Sequence, residues 1–235
     1  MTYLQIVRRL ARACGMTASA NIPATVAGQT GNLLDAVDWA NDAYNELQTS
    51  QDWRWLRSQF TVNTTSGVDA YAYGACTDSR LSATISRFSK WFANDNLTPP
   101  KCYLTSGGVG GQYFLKFIDW ESFCSLYRIG NINPSSPCHI TVDPQDRLVL
   151  GPTPNDVYTI TGDYQMGSQA LTADGEIPEM PSKFHMLIVY DAMRKYAGDQ
   201  AAQEAMTRAV NEGGHLRSIL DLEQLPRWRS GRPMA

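Results

Sequence analysis

The stretch 184–196 constrains this chain more than any other. Phe184, Met186, Leu187, Ile188, Val189, Tyr190, Ala192 and Met193 stand close together, and only His185 and Asp191 interrupt them. Wound as a helix, the segment is apolar nearly all round, so it must be covered on every side. It is shorter than the roughly 18 apolar residues that a membrane span requires. No longer apolar run exists in the chain, so no membrane partner is expected. The cover must be protein: other helices, a β-rich part of the chain, or a neighbour.

Helical periodicity recurs at the N-terminus. Thr2-x-x-Gln5 has the form of a capping box, and Leu4, Ile6, Val7, Leu10, Ala11 and Cys14 follow at helical spacing before Gly15. Arg8, Arg9 and Arg12 sit among them without an acid, as in a transit peptide, but a segment with both caps reads as a folded helix over 2–14. A second helix is expected over 30–47, with Leu33, Val37, Ala40, Tyr44 and Leu47 on its apolar stripe and Asn41, Asn45 and Gln48 off it. Trp53-Arg54-Trp55-Leu56-Arg57 closes this first part.

From Phe60 the pattern alternates, as strands do. Strands are expected over 60–65, 112–117, 139–142, 148–150 and 157–164, with Gly107 to Gly111 as a mobile hairpin tip. Asp119 is placed to cap a short helix through Tyr127. Asp143-Pro144-Gln145-Asp146 has the residues of a type I turn. Residues 171–182, with Pro178 and Pro181, read as a linker. After 184–196, Gly198 is expected to end the helix and Asp199 to cap the next. That one runs over 200–222 with a stripe of Ala202, Ala205, Met206, Ala209, Leu216 and Leu220 and a weak point at Gly213-Gly214. Pro226 should end it. The expected class is α+β: helices 1–57 and 171–224 form a bundle, 58–170 is a long β-rich insertion, and 225–235 is an extended arm.

The 235 residues are 43% hydrophobic and 18% charged, with net charge −3. That excludes a globally basic nucleic-acid binder. The five cysteines (Cys14, Cys76, Cys102, Cys124, Cys138) include no C-x-x-C pair, so reduced thiols are expected rather than a disulfide framework or zinc site. Phosphate-loop, dinucleotide, H-E-x-x-H and G-x-S-x-G patterns are absent. His139, His185 and His215 are scattered. The pairs Asp119 with Glu121 and Asp143 with Asp146 read as cap and turn. No catalytic residue, metal or cofactor is therefore expected. Two features remain. The Trp53–Arg57 cluster could stack on single-stranded bases or pack where helices meet strands. The tail residues Leu225, Arg227, Trp228, Arg229 and Arg232 could touch phosphate, hang free, or anchor on a partner.

The segments TYLQIVRRLARACGM and TGNLLDAVDWANDAYNELQTSQDWRWL, with LIVYDAMRKYAGDQAA near the other end, resemble the head–tail adaptor (connector) proteins of tailed bacteriophages. The resemblance covers both ends well and the insertion loosely. It implies a non-enzymatic ring of subunits, commonly twelve, seated under the portal protein in the virion neck. DNA would pass through it without sequence-specific binding, and a tail or nozzle component would follow. Such a protein is made in the bacterial host cytoplasm. On that reading Phe184, Leu187, Ile188, Tyr190 and Tyr196 pack the bundle and neighbouring subunits. The arm, disordered in an isolated subunit, orders against the portal. Two alternatives stand beside it: a nucleic-acid-binding module using Trp53–Arg57 and the tail, and a glycan-active tail protein with two carboxylates about 5–10 Å apart.

Overall fold

The computed structural model describes residues 1–16, 22–130 and 132–225. It is an α+β chain with five α-helices and two sheets among those residues. It divides into two compact units: a helical unit of residues 1–55 and 168 onward, and a β unit, Leu56–Gly167.

The helical unit holds α1 (Tyr3–Ala13), α2 (Asn32–Thr49), α4 (His185–Gln200) and α5 (Gln203–Gln224). Thr2 and Gln5 form the full capping box on α1. At the other end Gly15 N–H donates to Arg12 and Met16 N–H to Ala11, the paired bonds of a Schellman closure. The first amides of α1 find further acceptors across the unit, Tyr3 N–H on Glu176 O (2.7 Å) and Leu4 N–H on Asp174 O (3.2 Å). These acceptors lie in the expected linker, which also buries Leu171 and Met180. It is part of this unit's core and not a spacer.

Helix α4 packs against α1, α2 and α5. That contact set explains its all-round apolar character, because a stripe facing each neighbour leaves little outer surface. Phe184, Leu187, Ile188, Val189, Tyr190, Ala192 and Met193 are buried. The interior of α2 turns out slightly rotated from the expected stripe. Ala36 and Ala43 are buried, whereas Leu33 and Val37 are half-exposed. Gln48, expected outside, is buried because its amide pairs twice with the Gln169 backbone, accepting from N–H (2.8 Å) and donating to C=O (3.0 Å).

Three expectations at the C-terminus are corrected. Gly198 does not end α4; the helix runs to Gln200, and Ala201 takes the left-handed position (φ 52°) with its N–H on Ala197 O. A glycine inside a helix costs only about 1 kcal/mol relative to alanine, which the packing of α4 outweighs. Asp199 therefore lies inside α4, and α5 starts after Ala202 with no side-chain cap. Gly213-Gly214 does not break α5. Gly213 is buried, and a Cβ there would lie 3.0 Å from Tyr190 Cβ. The missing side chain lets α5 approach α4. Helix α5 ends at Gln224, and Leu225 is extended (φ −89°, ψ 149°), as a residue before proline should be.

The β unit holds β1 (Arg57–Asn63), β2 (Ala70–Tyr71), β3 (Thr77–Asp78), β4 (Ala83–Thr84), β5 (Lys90–Trp91), β6 (Lys101–Leu104), β7 (Tyr113–Phe114), β8 (Lys116–Phe117), β9 (His139–Val142), β10 (Leu148–Gly151), β11 (Tyr158–Gln165) and the helix α3 (Trp120–Tyr127). The larger sheet runs β4-β3-β1-β11-β6-β7, with β5 also on β11. Its spine is the antiparallel pair β1 and β11, in register from Arg57 with Gln165 to Asn63 with Thr159. The smaller sheet runs β2-β10-β9-β8. The single strand expected over 112–117 is broken at Leu115. Residues before it pair with β6, residues after it pair in parallel with β9, and Leu115 is buried where the chain changes sheets. The turn after β9 forms as expected: Asp146 N–H donates to Asp143 O (3.0 Å). Asp119 caps α3 through Ser122 N–H.

Candidate functional site

Trp53 and Trp55 stack at 4.6 Å with 17° between planes. Trp53 is fully buried, donates from Nε1 to Leu47 O (2.6 Å), and lies under the Arg217 guanidinium at 5.1 Å. All three residues belong to the helical unit. A ring buried in this way has no free face for a nucleotide base. Arg57, in the β unit, donates from Nε to Asp163 (2.8 Å) and from a terminal nitrogen to Asp95 (2.7 Å), and lies 4.3 Å over the Phe92 ring. Partial burial works against its charge, but the two carboxylates outweigh this and raise its pKa. So the cluster that sequence reading treats as one motif serves two separate cores, and of its basic residues only Arg54 is exposed.

The carboxylates read as cap and turn behave as such. Asp143 is buried and accepts from Gln145 N–H (3.0 Å), Arg147 N–H (2.8 Å) and Arg147 Nε (2.7 Å). Burial alone would raise its pKa, and these donors lower it. Sequence reading missed Asp78. It is fully buried and accepts from Ser58 Oγ (3.0 Å), Arg80 N–H (2.7 Å), Leu81 N–H (3.1 Å) and the Tyr164 hydroxyl. Burial opposes its charge, yet the donors lower its pKa. The carboxylate joins β1, β3 and β11 and has no room for substrate. A turn-type residue followed by Ser-Arg-Leu was the available signal, since an Asp side chain commonly bonds the amides just after it.

The surfaces left over are different in the two units. On α2 the exposed side chains Asp35, Asp38, Asp42 and Glu46 lie at helical spacing, one acidic face. Beside it a groove of about 400 Å³ is lined by Glu46, Ser50, Asp191, Arg194, Lys195 and Arg217. Glu46 pairs with Lys195, and burial raises the Asp191 carboxyl. The β unit has a groove of about 550 Å³ on its larger sheet, lined by Phe60, Gly162, Leu97 and Phe114 among others. Leu97 is 88% exposed and Phe114 63%. Exposed apolar groups that gather in one patch mark contact with a partner or ligand.

Among the described residues no group of three or more metal-ligating side chains comes together, and no helix is long and apolar enough to cross a membrane. A model of the family described as SU10 adaptor protein matches residues 1–233, almost the whole chain. The chain belongs to the SU10 adaptor family. This is a family of phage head–tail adaptors, so the chain is a structural virion component that meets other components such as portal and tail. No curated protein matches the chain. Of the residues expected to mediate adaptor contacts, Phe184, Leu187, Ile188 and Tyr190 are buried in this chain's own helical unit. Tyr196 is half-buried and meets Trp39 edge-on at 5.8 Å. Leu225 is half-buried. Arg227, Trp228, Arg229 and Arg232 lie outside the described residues.

Proposed function

We propose that this SU10-family adaptor forms a ring under the portal, joins the capsid to the tail and surrounds the DNA channel. The single observation that carries the reading is the family match along the whole chain. The helical unit supports it as a bundle built from both chain ends, with the β unit inserted between them. Neighbouring copies would meet head to tail, as closed rings require, through half-buried positions such as Tyr196. The role is binding geometry without catalysis. Buried carboxylates saturated with donors support this, as neither Asp78 nor Asp143 is free to move a proton. DNA would pass the channel without sequence readout, in keeping with the net charge of −3. The protein would be made in the host cytoplasm and act in the virion neck, with twelve copies as the expected ring.

The arm 225–235 is the proposed portal anchor. It combines Trp228 with Arg227, Arg229 and Arg232 and has no acid. Tryptophan and arginine dominate interface hot spots, and arginines pair well with carboxylates on a partner. Trp228→Ala should weaken portal attachment by more than about 1 kcal/mol while the subunit stays folded. Binding of the variant and of a chain truncated after Gln224 to purified portal checks this. Unchanged binding of the truncated chain would remove the anchor.

A further inference from the structure

The β unit contains a cluster that the adaptor role does not use. Cys138 is exposed, and its Sγ lies 3.2 Å from His139 Nδ1. Tyr127 Oη lies 2.6 Å from the same nitrogen and 3.7 Å from the sulfur. Three elements fix the geometry. Tyr127 is the last residue of α3, and His139 opens β9. The backbone of Cys138 is tied on both sides, donating to Gly151 O (2.9 Å) and accepting from Lys116 N–H (3.0 Å). Gly151 belongs to this frame, because a Cβ there would lie 2.5 Å from the Tyr127 ring. The thiol is therefore presented to solvent from a fixed backbone beside a fixed imidazole.

We propose that Cys138 is a thiol–disulfide exchange site for small disulfides, with His139 as the base that takes the thiol proton. Nδ1 offers one lone pair to two donors, the thiol and the tyrosine hydroxyl. Burial, helped by the nearby Lys116 charge, lowers the His139 pKa, so the ring is neutral near neutral pH and takes the thiol proton when the Tyr127 hydroxyl turns off Nδ1. Burial and the adjacent thiol push the Tyr127 hydroxyl up to about 12, so it stays a donor. Gly151, opposite His139 on β10, adds no charge. In the step, the Cys138 proton moves to Nδ1. The thiolate then attacks one sulfur of the disulfide, the S–S bond breaks, and the departing thiolate takes up a proton. Cys138 ends as a mixed disulfide, and the small disulfide is reduced to one thiol. Tyr127 can turn its hydroxyl from Nδ1 to the thiolate sulfur. The other thiols lack this setting: Cys76 and Cys102 are buried, burial pushes Cys14 up to about 12, and Cys124 is half-buried.

The test uses the full chain with substoichiometric dithiobis-nitrobenzoate, followed by peptide mapping, and a parallel reaction with oxidised glutathione. Both reagents should mark Cys138 first. His139→Gln should slow the reaction near neutral pH by at least about threefold. The attacking species is the thiolate, so losing the base that takes the thiol proton lowers the rate of attack. The difference should shrink in strong alkali, where hydroxide makes the thiolate without a base, and a loss of packing alone would not give that pH dependence. First labelling at Cys124 or Cys14, or an unchanged rate in a folded His139→Gln chain, would overturn the proposal. If that variant fails to fold, the labelling order in the unaltered chain still decides.

Discussion

The two units solve the same problem with different chemistry. In the helical unit most of the backbone is satisfied within its helices, and among the described residues the core is nearly all apolar, with Gln48 and His185 as its buried polar side chains. In the β unit several strands are only two residues long, and such strands leave many amides outside a ladder. Buried side chains take up that work: Asp78, Asp143 and Thr64 accept from the amides of Arg80, Arg147 and Tyr158. The contrast teaches where each unit is fragile. Helices that satisfy their own backbone depend on close packing. Short strands depend on single polar anchors.

The largest expected effect is therefore at Asp78. Asp78→Ala would leave two hydroxyls and two amides without their acceptor, a cost of about 3–5 kcal/mol for a broken buried charge network. Urea unfolding followed by hydrogen exchange should show the loss in the β unit, with the helical unit much less affected. A drop below about 1 kcal/mol would break the comparison. Next is Gly213→Leu, which forces a side chain against Tyr190 and should cost about 1–3 kcal/mol. Gly214→Ala is its control. A Cβ at Gly214 meets nothing within 4 Å, so that variant should gain up to about 1 kcal/mol. Opposite signs at adjacent glycines, read by thermal unfolding, would sharpen the claim that packing governs this unit.

The smallest expected effect is in pH. His185 is buried, and burial lowers its pKa below the usual 6.5. The unfolded chain then binds the proton more readily than the folded one. The stabilisation is complete above pH 6.5 and is lost as acidification runs through that value toward the folded pKa. His139 shifts in the same direction but is only half-buried. Mild acid should thus loosen exchange protection in the helical unit before the β unit, and His185→Gln should flatten that acid response. Asp78, Asp95 and Asp143, whose pKa values are lowered from 3.8, give the β unit stability that is lost progressively as pH falls from that value toward their folded pKa values.

The same contrast explains what could be read from the sequence. Thr2, Gln5 and Gly15 mark both ends of α1, because caps are local. The β1 and β11 strands were visible because each is long enough to alternate. The two-residue strands carry too little alternation to show a period, and the break at Leu115 depends on which strands lie beside it. Gln48 appeared solvent-facing because its partner, Gln169, lies far along the chain. The same holds for the site. Trp53-Arg54-Trp55-Leu56-Arg57 was legible as a cluster, but Arg217, Asp95 and Asp163, which engage it, are distant in sequence. The family was legible because the aromatic and apolar pattern at both ends lies in consecutive residues.

The central claim is that this SU10-family adaptor works as a ring on the portal. Its most direct test is the native mass of the chain alone and mixed with purified portal from the same phage. The account predicts that the 26.1 kDa chain is taken up on portal as a closed ring of many copies. A chain that remains at 26.1 kDa and never comigrates with portal would contradict it.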